Sequence, residues 1–407
     1  MSRKINFILI LLSLFSSLAL ASKTTFEIEK HIVVTPLCLI NQITHHYTTL
    51  ASNQNLSLIE IDSNGIRQLI RVNTHQKQLC GGFIDVTDEW LTVNSKKSAP
   101  QQAKLFLMQY DMPLHTKSEN VTFSIKYQKQ VNPLLNQINP QDMWQNLTTL
   151  TSFPDRFAFS TNGVNAAEWI KNKMLALAQQ TGHTDVKVYF IDTGRYRQPS
   201  VVAKLGHSDE PGIVIGGHMD SILEQAYGRS PGADDDGSGS VAVMEVARTL
   251  LSSGMHFKKP IYFIWYAAEE MGLVGSKKVV AKFKEKNIPI EAVIQLDLAG
   301  YAPKNDPTLW LISDYVNSDL TAYLALLIDT YIKQPVKYTK CGYACSDHAS
   351  WHKAGIIASM PVEAEFGKED PYIHTIKDTM DILSLAHMTD FVKLGVAFGV
   401  ELAEPVT

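Results

Sequence analysis

The sequence predicts an α/β fold: a mixed, largely parallel central sheet flanked by helices, preceded by a small β-rich or α+β unit. Three observations carry that expectation. From about residue 132 onward, apolar runs of strand length alternate with stretches of helical periodicity, the pattern of a layered sheet. Between residues 22 and 131 the apolar runs are short, β-type and separated by polar turns. The composition of the 407-residue chain, 45% hydrophobic and 19% charged, is that of a globular protein large enough for one big domain or two.

The chain opens with two positive charges in Met1–Lys4, then "INFILILLSLFSSLAL", then "ALA" at Ala19–Ala21. A basic start, an apolar run and a small-x-small site make residues 1–21 a signal peptide, and the run is short for a membrane span. The expected protein is therefore secreted, free of membrane in its mature form, and held in an oxidising compartment where Cys341 can pair with Cys345. The net charge of −4 implies no nucleic-acid partner. There is no internal repeat, and a monomer is the default.

In residues 22–131, "KHIVVTPLCLI", "LSLIEID", "QLIRV", "GGFIDV", "KLFLMQY" and "VTFSIKY" read as β-type runs, and Cys38 can pair with Cys80. "QVNPLLNQINPQ" has the Asn, Gln and Pro texture of a linker. "DMWQNLTTLTSF" and "NAAEWIKNKMLALAQQTG" are helical, the second closed by Gly182. "VKVYFI", "SVVAKL", "GIVIGGHMD", "PIYFIWYA", "AVIQLDL" and "TLWLIS" are strands, and "SGSVAVMEVARTLLSSG" is a helix between the third and fourth.

In open α/β sheets, active groups gather at the carboxyl ends of strands. That edge collects His218 and Asp220, then Glu269 and Glu270, then Asp297, with Asp234, Asp235 and Asp236 side by side before a helix and His374 further on. Singly, each has a bland reading as a turn or surface group. Together they suit zinc, which takes imidazole nitrogen and carboxylate oxygen and, when catalytic, keeps a place for water. Two Zn2+ carry four positive charges; Asp235, Glu270, Asp297 and a hydroxide cancel them, so a buried two-metal cluster bridged by Asp235 is affordable.

"GGHMDS", "PGADDDGSG", "AAEEMGLVGS", "QLDL", "CGYACSDHASWH" and "YIHTIKDT" together resemble the M28-type di-zinc leucyl aminopeptidases secreted by bacteria, from about Asn132 to the C-terminus. The resemblance implies His218 and Asp297 on one zinc, Glu270 and His374 on the other, and Asp235 between them. It implies Glu269 as general base, Asp220 as orienter of His218, and a Cys341–Cys345 disulfide presenting Tyr343 to the scissile carbonyl. It implies peptide N-termini as substrates, with the free α-amine at the Glu270–His374 end, and a cis Asp235–Asp236 peptide bond. A first-residue pocket of Leu298, Ile312, Tyr343, Met360, Phe366 and Ile373 follows, favouring Leu and other apolar residues. Glu369 stands where such pockets have an aromatic, so Lys and Arg become acceptable at its rim. Asp347, His348 and His352 are assigned structural roles, since five ligands suffice.

The resemblance also sets residues 22–131 apart from the catalytic domain, 132–407, as a pro-region or accessory domain, with removal expected near Lys129–Asn132. The same scaffold resembles carboxypeptidases and glutaminyl cyclases, and receptor-like relatives that have lost ligands. The first needs a cation for a C-terminal carboxylate, and no Arg lies within these motifs. The last is disfavoured because every ligand and the base are present.

Overall fold

A computed structural model describes residues 30–74, 80–93, 98–111, 122–225 and 228–406. The expected leader lies outside these residues. Among them, no helix is long and apolar enough to cross a membrane.

Residues 30–111 form an α+β unit. Strands β1 (Lys30–Pro36), β2 (Tyr47–Ser52), β3 (Leu56–Asp62) and β4 (Ile84–Asp85) make an antiparallel sheet in the order β2-β3-β1-β4. Two expected strands are helices instead. "QLIRV" lies in Ser63–Thr74, whose Ile66, Leu69 and Ile70 are buried. "KLFLMQY" lies in Ala99–Asp111, where Ala103, Phe106 and Leu107 are buried while Leu105 and Met108 face water. Both sets recur at intervals of three and four residues, which is a helical stripe; over so few residues an apolar run does not by itself separate the two states. "VTFSIKY" forms no strand over its described residues.

The main sheet has six strands in the order β12-β9-β7-β8-β6-β5: β5 (Val186–Ile191), β6 (Ser200–Leu205), β7 (Gly212–His218), β8 (Ile261–Tyr266), β9 (Ile290–Gln295) and β12 (Ala358–Ser359). β7 pairs parallel to β8 and β9, and β12 parallel to β9. β6 runs antiparallel to both β5 and β8, so the sheet is mixed, as expected. A second sheet joins β10 (Leu309–Ile312), β11 (Val336–Thr339) and β13 (Pro361–Val362). Helix Gly239–Ser252 follows the triple aspartate and packs against β7 and helix Leu385–Ala403 in the largest apolar cluster. Gly182 ends helix Thr161–Thr181 in the left-handed region at φ 72°, where glycine has no Cβ penalty.

The expected linker is also a helix, Gln128–Leu135, whose Val131 and Leu134 are buried in that cluster. The chain just before it already packs on the body built around the main sheet. Lys126 and Tyr127 donate backbone N–H groups to Glu401 at 2.8 and 3.0 Å, and Phe123 stacks on Tyr323. The expected boundary at 131/132 falls within this packed helix.

The 30–111 unit docks on the main-sheet body through a shared core. Val33, Ile59, Leu69 and Ile70 join Ile222, Ala268, Met271 and Val274 in one buried cluster. Ion pairs Lys277–Glu89 (3.0 Å) and Lys278–Asp88 (2.6 Å) line its border. Exposed pairs of that kind contribute about 0–1 kcal/mol, so the apolar cluster dominates the docking.

Candidate metal centre

β7 ends on His218, and the glycine before it explains the approach of the next loop. A Cβ on Gly217 would lie 2.7 Å from the Leu296 carbonyl oxygen and 3.0 Å from Asp236 Oδ2. With no side chain there, Asp236 comes close enough to accept the His218 backbone N–H at 2.9 Å and, through its other oxygen, that of Gly239 at 2.9 Å. The Asp235–Asp236 peptide bond is cis.

The three aspartates thus do different things. Asp234 accepts from Gly300 N at 3.0 Å and lies beside Glu363. Asp236 is occupied by backbone. Asp235 faces both histidines: Oδ1 is 3.1 Å from His218 Nε2, and Oδ2 is 3.0 Å from His374 Nε2. Asp297 Oδ1 stands 3.6 Å from His218 Nε2, and Glu270 Oε2 stands 3.0 Å from His374 Nε2. Two groups have the compactness of a metal site, His218 with Asp236 and Asp297, and Asp235 with Glu270 and His374. Asp236 is near enough to share the first, but its hydrogen bonds to backbone assign it to holding the loop. Asp235, which touches both histidines, is placed between the two groups.

The supports are specific. His218 Nδ1 donates to the Asp220 carbonyl oxygen at 3.1 Å and lies 3.5 Å from that residue's carboxylate, leaving Nε2 turned to Asp235 and Asp297. The Asp220 carboxylate accepts from the backbone N–H of Glu269 (3.1 Å) and Glu270 (3.3 Å), fixing both glutamates at once. Ser346 donates to Asp297 at 2.5 Å. Asp378 accepts from the N–H groups of Asp234 and Asp235. Ala268, Leu298 and His374 hold left-handed backbone at φ 55°, 56° and 59°, each at or beside a site residue. Such conformations cost about 1–3 kcal/mol and persist where surroundings over-determine them.

Arg156 carried no sequence signal. It is fully buried and donates to the carbonyl oxygens of Met219 (2.8 Å), Pro231 (2.5 Å) and Gly232 (2.8 Å), tying the end of β7 to the aspartate loop. Its partners are backbone atoms more than sixty residues away, which no local pattern betrays. Asp378 and Glu363 were missed likewise.

Burial works against charge throughout, and the site overrides it for the histidines. Asp297, Asp220 and Asp235 hold the His218 pKa well above its usual value, and Glu270 and Asp235 do the same for His374. Asp235 lies below the usual carboxylate range, because His218 and His374 outweigh its burial. Burial pushes Glu270 up to about 7, with Asp235 adding to it, and its Oε1 is buried without a hydrogen-bond partner. Burial, then Asp347, Glu270 and Asp297, raise Glu269 well above its usual value against the pull of His218. So many carboxylates around two imidazoles demand positive charge, and nitrogen and oxygen donors without thiolate suit zinc.

These groups open on a cavity of about 490 Å³. Leu298, Tyr343, Met360, Phe366, Glu369 and Ile373 line it with the cluster. Ile312 does not: it is fully buried in β10, where its N–H binds the Met360 carbonyl oxygen, and it supports the wall from behind. Cys341 and Cys345 are disulfide-bonded around Tyr343, as are Cys38 and Cys80 in the first unit. Asp347, His348 and His352 are buried beside this region and outside both compact groups.

A mixed α/β sheet with buried imidazoles and carboxylates gathered at one strand edge defines a metal-dependent hydrolase. Residues 200–398 match the family model of peptidase family M28. A probable leucine aminopeptidase of Arthroderma otae is 34% identical over 354 residues, covering 85% of this chain and 90% of that protein. The crystal structure of the Legionella pneumophila LapA aminopeptidase matches with a TM-score of 0.85 at 43% identity, covering 93% of this chain and all of that one. LapB of the same organism matches at 0.83 and 40%, covering 92% and 100%. The chain belongs to peptidase family M28.

Proposed function

We propose that the protein is a secreted aminopeptidase that removes the first residue of peptides, with a leucine-type apolar preference and two zinc ions per chain. The observation that carries the reading is Asp235, whose two oxygens face two histidines, each with its own second carboxylate. His218 and Asp297 would hold one ion, His374 and Glu270 the other, with Asp235 shared. Bound there, zinc would supply a water acidified toward neutrality and a Lewis acid for the peptide carbonyl. Glu269 takes the proton of the attacking water and returns it to the leaving amine, a task suited by its raised pKa. Asp220 keeps Glu269 in place through its backbone N–H. The Tyr343 hydroxyl, in the same cavity, would donate to the oxygen that gains charge.

The end of the cavity decides between amino- and carboxypeptidase. A C-terminal carboxylate needs a free cation. Among the described residues lining the cavity, the only lysine or arginine is Lys368, which pairs with Glu365 at 2.6 Å. Leucyl-p-nitroanilide should be cut and its N-acetylated form left intact. Release of C-terminal residues from N-blocked peptides would overturn the reading.

The 30–111 unit acts as a cover in the same proposal. Ile70, Asn73, Thr74, Gly82 and Phe83 line the cavity; Thr74 Oγ1 lies 2.7 Å from His374 Nδ1, and Tyr343 hydrogen-bonds Asn73. A Cβ on Gly82 would meet the Tyr343 ring at 2.7 Å, so the unit sits directly on that side chain. A peptide cannot occupy the same space. Mass spectrometry of the active form should find the chain cut between residues 111 and 122, with the uncut chain less active. An uncut chain as the sole active species refutes the cover.

A further inference from the structure

We propose that Glu369 makes this pocket accept an N-terminal lysine or arginine, its cationic head meeting the Glu369 carboxylate while its methylene stem lies on the apolar wall. This rests on the aminopeptidase reading above. The wall is built by Leu298, Met360, Val362, Phe366 and Ile373, which suits an aliphatic stem as well as a leucine side chain.

Glu369 is not a solvent-facing rim residue. Its Oε2 accepts the Gly367 N–H at 2.6 Å, and the N–H groups of Lys368 and of Glu369 itself also face the carboxylate. That fixes the group without neutralising it. Its Oε1 is buried and has no hydrogen-bond partner among the described residues. The adjacent cation is spoken for, since Lys368 Nζ binds Glu365. The other groups around it add no positive charge: the Tyr343 phenol carries none, and Glu365 and Asp370 are acids. Burial raises Glu369 to about 7, as expected for a carboxylate left without a counter-ion. A fixed, unpartnered carboxylate in a substrate cavity discriminates between ligands by whether they supply the missing donor. Lysine and arginine do; leucine leaves Oε1 as it is.

A second geometry is open to the same carboxylate, in which it holds the peptide's α-ammonium, and the test separates the two. The active, zinc-loaded protein and Glu369→Gln are compared by kcat/KM on lysyl, norleucyl and leucyl p-nitroanilides, norleucine being lysine's stem without its ammonium. Glu369→Gln should lower the lysyl value about tenfold or more, the scale of a partly buried charge pair. The norleucyl and leucyl values should fall less than the lysyl value, so that the lysyl/norleucyl ratio drops severalfold. An unchanged lysyl/norleucyl ratio overturns the proposal. An equal fall on all three substrates also overturns it, since that marks an α-amine contact. A parent that cuts none of the three removes the aminopeptidase reading and this one with it.

Discussion

Glu269→Ala is expected to lower kcat by about 10²–10⁴, the range of a lost general base, with zinc content unchanged. Its neighbour behaves differently: Glu270→Ala is expected to lose metal. The distinction comes from geometry rather than from residue type. Glu270 Oε2 lies 3.0 Å from His374 Nε2 and belongs to a compact group with Asp235 and His374. Glu269 belongs to neither compact group, yet it lines the same cavity, and burial among acids raises its proton affinity. Both backbone N–H groups are held by the one Asp220 carboxylate, so neither substitution removes the anchor of the loop. Elemental analysis beside steady-state kinetics checks this. Zinc loss in Glu269→Ala with retention in Glu270→Ala would mean the pair is assigned in reverse.

Metal removal should have the largest effect of all. Chelation is expected to lower activity by about a thousandfold or more, the equivalent of roughly 4 kcal/mol of barrier, and added zinc should restore it. Without the ions, what remains of the proposed machinery is Glu269 and Tyr343, whose proton affinities burial has raised. Neither generates hydroxide from bulk water. The titration of activity against zinc should saturate near two ions per chain. Full activity in a metal-free preparation would end the model, and saturation at one ion would remove the bridging role of Asp235.

How much of this was legible differs from element to element. β5 to β10 were readable as apolar runs, and the site residues at the ends of β7, β8 and β9 followed from one rule about strand edges. The roles of the three aspartates were separable only in part, because adjacent identical residues carry no pattern. What distinguishes them is which backbone N–H each meets, and Gly217 and Asp378 decide that from elsewhere in the chain. The helices Ser63–Thr74 and Ala99–Asp111 were misread, since a five- to seven-residue apolar run fits either period. The linker reading failed at Val131 and Leu134, two apolar residues whose burial partners lie in the C-terminal helix. Arg156 was invisible for a related reason: its guanidinium bonds carbonyl oxygens, which every residue possesses.

The contact between Thr74 and His374 decides more than steric access. Thr74 Oγ1 donates its single hydrogen to the Ile70 carbonyl oxygen at 3.0 Å. With that hydrogen on Ile70, Thr74 accepts from His374, and the imidazole carries a proton on Nδ1. Nε2, on the side of Asp235 and Glu270, then keeps its lone pair outward in the neutral ring. In that arrangement Thr74 of the 30–111 unit favours the tautomer that a cation requires. If the 30–111 unit is the cover proposed above, the uncut chain is expected to bind zinc while still closed to peptide.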